Sequence, residues 1–220
     1  MTRSMNPQPE RSRLVLVTTP LPDGPGGIAA LQRALSGGDV ASVIIPAAGR
    51  DAAQYQDFAL DMVEAAQAAG AAAIVCDDTR CAGRVKADGI HVTTGIDGLS
   101  DAVARFSPKL IVGASGFTTR HDALEAGERL PDYLFFGDLD ADAGEVDADA
   151  LDMAGWWAEI VEVPCIVMGG SDLRPLPETI ASRAEFVALS HAVFGASDEE
   201  AERVAAVNRM LDDAFQAALS

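Results

Sequence analysis

From Leu14 onward, short apolar runs rich in Val and Ile alternate with longer stretches in which apolar positions recur every three to four residues. Continuous apolar runs are what strands buried on both faces require, and amphipathic stretches between them are what helices covering a parallel sheet require. Eight such runs are readable: Leu14–Thr18, Val40–Ile45, Ala72–Cys76, Gly89–Val92, Leu110–Val112, Tyr133–Phe136, Cys165–Met168 and Phe186–Leu189. Eight βα repeats predict an α/β chain folded as a single (β/α)8 TIM barrel over residues 14–220, rather than an open sheet. Residues 1–13 are polar, contain Pro7 and Pro9 and lack periodicity, which predicts a disordered N-terminal leader. Ser197 with Glu200 has the spacing of a capping box ahead of a last helix running toward Leu211 and Ala218. Gly37-Gly38 and Gly70 punctuate helix ends, and the carboxylate-rich stretch Asp138 to Asp149 reads as a loop.

Composition narrows the function classes. A chain of 220 residues that is 49% hydrophobic can bury one sizeable core. Its 34 acidic against 16 basic residues give a net charge of -18, which repels nucleic acid and anionic membrane surfaces. A phosphorylated ligand would therefore be held by backbone amides, a metal or a few local donors. Cys76, Cys81 and Cys165 are too few and too scattered for a disulfide framework or a zinc motif, which fits a reducing cytoplasmic setting. No stretch has the length of a membrane span. Nothing in the sequence specifies an oligomer, although a homodimer is compatible with it.

In a barrel of this kind chemistry sits on the loops after the C-terminal ends of the strands. There the chain places Thr18 and Thr19, Asp77 and Asp78, His91 with Thr93 and Thr94, Ser115, Asp138, Gly169-Gly170, and Ser190-His191. Gly169, Gly170, Ser190 and His191 lie after strands seven and eight, where backbone amides can close around a phosphate; a plain tight turn is the competing reading. Asp77 and Asp78 are either ligands of a divalent metal such as Mg2+ or caps of the next helix. Ser115 either donates to an anion or opens a turn. His91 is read as a hydrogen-bonded structural group and His121 as exposed on a helix. Trp156 and Trp157, adjacent on a helix, cannot share a face, so at least one packs against the barrel.

Four segments together resemble the thiamine phosphate synthase and thiazole tautomerase superfamily. They are Ala34-Leu35-Ser36-Gly37-Gly38, Ile74-Val75-Cys76-Asp77-Asp78, Lys86-Ala87-Asp88-Gly89-Ile90-His91-Val92, and the pair Pro164 to Gly170 with Ala188 to Ala192. The resemblance implies a synthase that joins a hydroxymethylpyrimidine diphosphate to a thiazole phosphate and releases pyrophosphate with Mg2+. It implies a thiazole-phosphate cradle at Gly169, Gly170, Ser190 and His191, a magnesium aspartate at Asp77, and an anion-binding serine at Ser115. The family's Gln-x-Arg-x-Lys-like grip after strand two is replaced by Val43-Ile44-Ile45-Pro46-Ala47, leaving Arg50 as the nearby cation. The second magnesium aspartate falls at Ile96, with Asp97 adjacent, and the Thr-x-x-Lys-like residues after strand six are replaced by acidic ones. Asp138 follows Gly137 where the tautomerase branch places a histidine.

Three readings follow. The chain is a synthase, with Ser115 and Arg50 on the pyrophosphate and Asp77 and Asp97 on the metal, its activity reduced by the replaced cations. Alternatively it is a silent family member that binds a small phosphorylated metabolite, or a phosphate-handling isomerase using Asp138 as a base.

Overall fold

The computed structural model of the protein describes residues 10–139 and 145–220. In it eight parallel strands close in sequence order, the last pairing with the first. They are β1 (Arg13–Val17), β2 (Ser42–Ile45), β3 (Ala72–Cys76), β4 (Gly89–Val92), β5 (Ile111–Ala114), β6 (Tyr133–Phe136), β7 (Cys165–Met168) and β8 (Phe186–Leu189). The helices between and after them are α1 (Pro25–Ser36), α2 (Ala52–Ala68), α3 (Thr79–Val85), α4 (Gly95–Phe106), α5 (Arg120–Gly127), α6 (Ala148–Ile160), α7 (Leu176–Ala181), α8 (His191–Phe194) and α9 (Glu200–Ala218). The (β/α)8 barrel expected from the apolar runs is therefore the fold. No described helix is long and apolar enough to cross a membrane.

The strands read as unbroken apolar runs because each side of the pleat meets a different core. Val15, Val17, Ile44, Ile74, Tyr133, Phe135, Ile166 and Met168 fill the barrel interior. Leu14, Leu16, Val43, Ile45, Val75, Leu134 and Val187 point outward under the helices. This is period-two alternation with both faces apolar, the condition for a parallel sheet sheathed in helices. Trp157 is fully buried in the outer layer, its ring edge-on to Phe136 at 5.8 Å and its indole N–H donated to the Val163 carbonyl at 2.7 Å. Trp156 is only partly buried, as two adjacent helical positions require.

Closure joins the two ends of the chain. Leu14 pairs with Val187 and Leu16 with Leu189 across the β1–β8 seam. Outside the seam, α1 lies against α9, and Arg33 forms a two-pronged ion pair with buried Glu200, both contacts at 2.8 Å. Arg11 bonds Asp212 and Asn208, and Ser12 donates to the Ala184 carbonyl. Residues 11–13, expected to belong to a leader, are instead tied to the barrel, and residues 1–9 lie outside the described residues. The expected capping box is also corrected. Helix α9 begins at Glu200 with Glu199 as its cap residue and no side-chain cap bond, because Glu200 is drawn inward by Arg33. Three strand boundaries shift by up to two residues, at β1, β2 and β5. The loop expected over 138–149 gives way to α6 from Ala148, with residues 140–144 outside the described set.

Gly37 marks how closely α1 and α9 approach, since a Cβ there would lie 2.3 Å from the Ala201 carbonyl oxygen. Its backbone is ordinary, so the constraint is steric alone. Gly37→Ala is expected to destabilise the barrel by about 1–3 kcal/mol through overpacking. Urea unfolding checks it: the midpoint falls while the slope stays constant.

Candidate active site

A cavity of about 1300 Å3 opens over the C-terminal ends of β2 to β6. Its polar groups at β3 come from two adjacent aspartates that do different work. Asp78 caps α3, its Oδ1 accepting from the amides of Arg80 and Cys81 at 2.9 and 2.8 Å. Asp77 adopts a left-handed backbone at φ 56°, a conformation aspartate tolerates better than most residues. That twist turns its carboxylate to β4, where it accepts from the Thr93 amide at 2.8 Å and the Thr93 hydroxyl at 2.7 Å. The capping half of the two readings thus belongs to Asp78, and Asp77 faces the cavity.

Beside them lies a buried polar chain. His91 is fully buried on β4, with Nδ1 2.9 Å from the Tyr133 hydroxyl and Nε2 2.9 Å from Ser115 Oγ. Its ring stacks on Tyr133 and meets the edge of Phe135. Burial pushes the imidazole down to about 3, so it is neutral at physiological pH, and burial likewise raises the Tyr133 phenol. Ser115 is the member of the chain that reaches the cavity. It forms no helix cap; Thr119 caps α5 instead.

The other rim is built differently. Gly169 gives its amide to the Ala188 carbonyl at 2.8 Å, and a Cβ there would strike the Leu189 side chain at 2.5 Å. Ser190 precedes α8, which starts at His191. The hydroxyls of Ser190 and Thr18, at the ends of neighbouring strands β8 and β1, are buried without a partner among the described residues. Leu139 belongs to the interior core, and its carbonyl accepts from the Thr19 hydroxyl at 2.8 Å. The chain after β6 therefore crosses the barrel mouth to the end of β1. That chord divides the cavity over β2–β6 from the rim of β7 and β8, and Gly169, Gly170, Ser190 and His191 do not line the cavity.

Residues 14–193 match the family described as thiamine monophosphate synthase. The chain belongs to this family. It is 30% identical to the thiamine-phosphate synthase of Hyphomonas neptunium over 220 aligned residues, covering 96% of this chain and 99% of that protein. It is 31% identical to that of Rhodospirillum centenum, covering 90% of this chain and 97% of the relative. Among solved structures, the thiamine phosphate pyrophosphorylase from Pyrococcus furiosus superposes with a TM-score of 0.76 at 21% identity, covering 94% of this chain and 98% of that one.

The residues expected from the family pattern do not all stand at the cavity. Arg50 stays out of the cavity lining: its Nε pairs with Asp23 at 2.5 Å, Nη2 donates to the Leu21 carbonyl at 2.7 Å, and the guanidinium lies 3.6 Å over the Phe58 ring. It fastens the loop after β1 to α2. Asp97 is exposed in the first turn of α4 and is not among the described residues that line the cavity. Among the described lining residues the cationic side chain is Arg80, which the sequence reading passed over. Its signal was position, three residues after Asp77 in the first turn of a helix whose start faces the cavity. Asp138, Asp147 and Asp149 form an acidic wall opposite.

Neutral His91 has a measurable consequence. Its folded pKa lies below the unfolded value of about 6.5. Between these values the unfolded chain binds the extra proton, so this residue's contribution to stability falls as pH drops below about 6.5, by up to about 1.4 kcal/mol per unit. Imidazole NMR should show no titration of His91 between about pH 5 and 8. His91→Gln should remove that part of the acid sensitivity.

Proposed function

We propose that the protein acts as a thiamine-phosphate synthase, joining a hydroxymethylpyrimidine diphosphate to a thiazole phosphate with release of pyrophosphate. The observation that carries the reading is that Asp77 and Ser115, the family's magnesium aspartate and anion-binding serine by resemblance, face one cavity from the ends of β3 and β5. Such a reaction asks chiefly for stabilisation of a departing anion.

Magnesium fits as an ion brought in with the diphosphate. No group of three or more His, Cys, Asp or Glu among the described residues could hold it unaided. Magnesium commonly takes one or two carboxylates plus substrate phosphate oxygens, and Asp77 supplies one. When bound, the ion offsets charge on the leaving pyrophosphate. Arg80 adds the protein's own counter-charge, taking the place proposed from sequence for Arg50. Ser115 donates to the anion, and Asp97 takes no part.

The thiazole phosphate belongs at the second rim. There the Ser190 and Thr18 hydroxyls, the Gly170 backbone and the first amides of α8 supply donors, His191 flanks them, and Gly169 supplies space rather than an N–H. Both hydroxyls are buried without a hydrogen-bond partner among the described residues, so a phosphate oxygen there would give each an acceptor. The acidic wall at Asp138, Asp147 and Asp149 favours a second reading, a family member that binds a phosphorylated metabolite without turnover.

Turnover assays with the two substrates and magnesium decide between them: thiamine phosphate and pyrophosphate in equal amounts support the synthase, and binding without product supports the second reading. Within an active enzyme, Arg80→Ala should raise KM for the pyrimidine diphosphate about tenfold, as loss of one charge-assisted contact predicts. Arg50→Ala should lower the unfolding temperature and leave that KM in place.

A further inference from the structure

We propose that Tyr133 and His91 set the direction of the Ser115 hydroxyl, so that its hydrogen is presented to the cavity as a donor for a bound anion. The inference starts from strand register. His91 pairs with Gly113, and Gly113 with Tyr133, which lines the three residues up across β4, β5 and β6. Gly113 makes the arrangement sterically feasible: a Cβ there would lie 2.1 Å from the Tyr133 ring. The phenol therefore lies across β5 and reaches the imidazole on β4.

Counting hydrogens fixes the rest. A neutral imidazole carries one N–H, and Tyr133 one O–H. Among the described residues the phenol's hydrogen-bond partner is His91 Nδ1. Were Nδ1 to carry the hydrogen, the phenol would have to accept, and its own buried O–H would be left with no acceptor stronger than the neighbouring Cys76 sulfur, a weak one, at the cost of a good hydrogen bond. Tyr133 therefore donates to Nδ1, and the imidazole hydrogen sits on Nε2, where it is donated to Ser115 Oγ at 2.9 Å. A protonated ring would displace the phenol hydrogen in the same way, since both ring nitrogens would then donate.

With Oγ accepting from Nε2–H, the serine's own hydrogen is left over, and the cavity is where this residue opens. The same count removes an alternative. A serine nucleophile needs a neighbouring base with a vacant lone pair, and Nε2 has none to offer. Ser115 is thus a fixed donor, and Tyr133 and His91 are positioning residues acting through it. The proposal rests on the synthase reading only in taking pyrophosphate as the anion.

The test has a ligand-free part and a binding part. Long-range proton–nitrogen spectra of the unliganded protein, with His91→Gln used to assign the signal, should show the Nε2–H tautomer at His91. The Nδ1–H tautomer or a charged ring would overturn the proposal. Tyr133→Phe removes the hydrogen that Nδ1 accepts, so the Nδ1–H form should gain population. Magnesium pyrophosphate should then dissociate about tenfold more readily, as loss of one hydrogen bond to a charged group predicts. Ser115→Ala should lose a similar factor, and the double variant little more, because the two act on one contact. A folded Tyr133→Phe variant that binds as tightly as the parent would refute the proposal. If that variant does not fold, the tautomer of the unmodified protein still decides the matter. If the unmodified protein does not bind pyrophosphate at all, the synthase reading falls, and the ligand-free tautomer alone supports or refutes the serine's orientation.

Discussion

Closure of the sheet between β1 and β8 is the constraint on which everything else here hangs. Strands of four or five residues are too short to be stable alone, and each is buried on both faces, so none can serve as a solvated edge. The first strand must therefore find the last, more than 170 residues away, and the surrounding contacts serve that seam. Arg13 pairs its backbone with Phe186 while its side chain binds Asp39; Arg11 and Asn208 tie the approach to β1 to α9. Arg33 then spends a buried carboxylate, Glu200, on holding α1 against α9. A buried carboxylate is tolerable only when paired with good geometry, and a two-pronged guanidinium contact meets that condition.

Once the ring is closed, register decides which rim residues meet. The row His91, Gly113, Tyr133 is a consequence of parallel pairing across three strands, and it brings a histidine and a tyrosine into an apolar interior where each polar atom must be satisfied. The solution uses exactly as many donors as acceptors, apart from one hydroxyl hydrogen at the open end. A buried network of this kind is rigid because any rotation strands a hydrogen. Rigidity at Ser115 is useful in a site that stabilises a departing anion, since a donor already oriented need not reorganise as charge develops.

How much of this was legible follows from the range of each signal. Strand positions were readable within a residue or two because two-sided burial writes itself as a continuous apolar run. Tyr133–Phe136, Cys165–Met168 and Phe186–Leu189 are visible without any knowledge of partners. Asp77 and Ser115 were readable because a strand end alone places them. Arg50 and Asp97 were not, since where they sit depends on side-chain partners distant in sequence or on where a helix starts: Arg50 is captured by Asp23 and Phe58, and Asp97 is exposed in the first turn of α4. Ser197 and Glu200 had the spacing of a cap, but a partner 167 residues distant, Arg33, outcompeted it. The same blindness hid Arg80, which stands out because other cations are scarce among the described residues around the cavity.

That scarcity shapes what the cavity can accept. Asp77, Asp78, Asp138, Asp147 and Asp149 line it against Arg80, within a chain of net charge -18. Inside a partly enclosed cavity like charges interact through less screening than on an open surface, so a bare diphosphate meets repulsion that one guanidinium does not offset. A diphosphate already complexed with magnesium carries much less charge and brings the ion that Asp77 can share. The carboxylates that oppose the free anion attract its metal. The family's replaced cations and this chain's acidic wall are therefore compatible with one binding mode, in which the counter-charge arrives with the substrate and the protein contributes orientation: one carboxylate, one arginine and one serine whose hydrogen already points into the cavity.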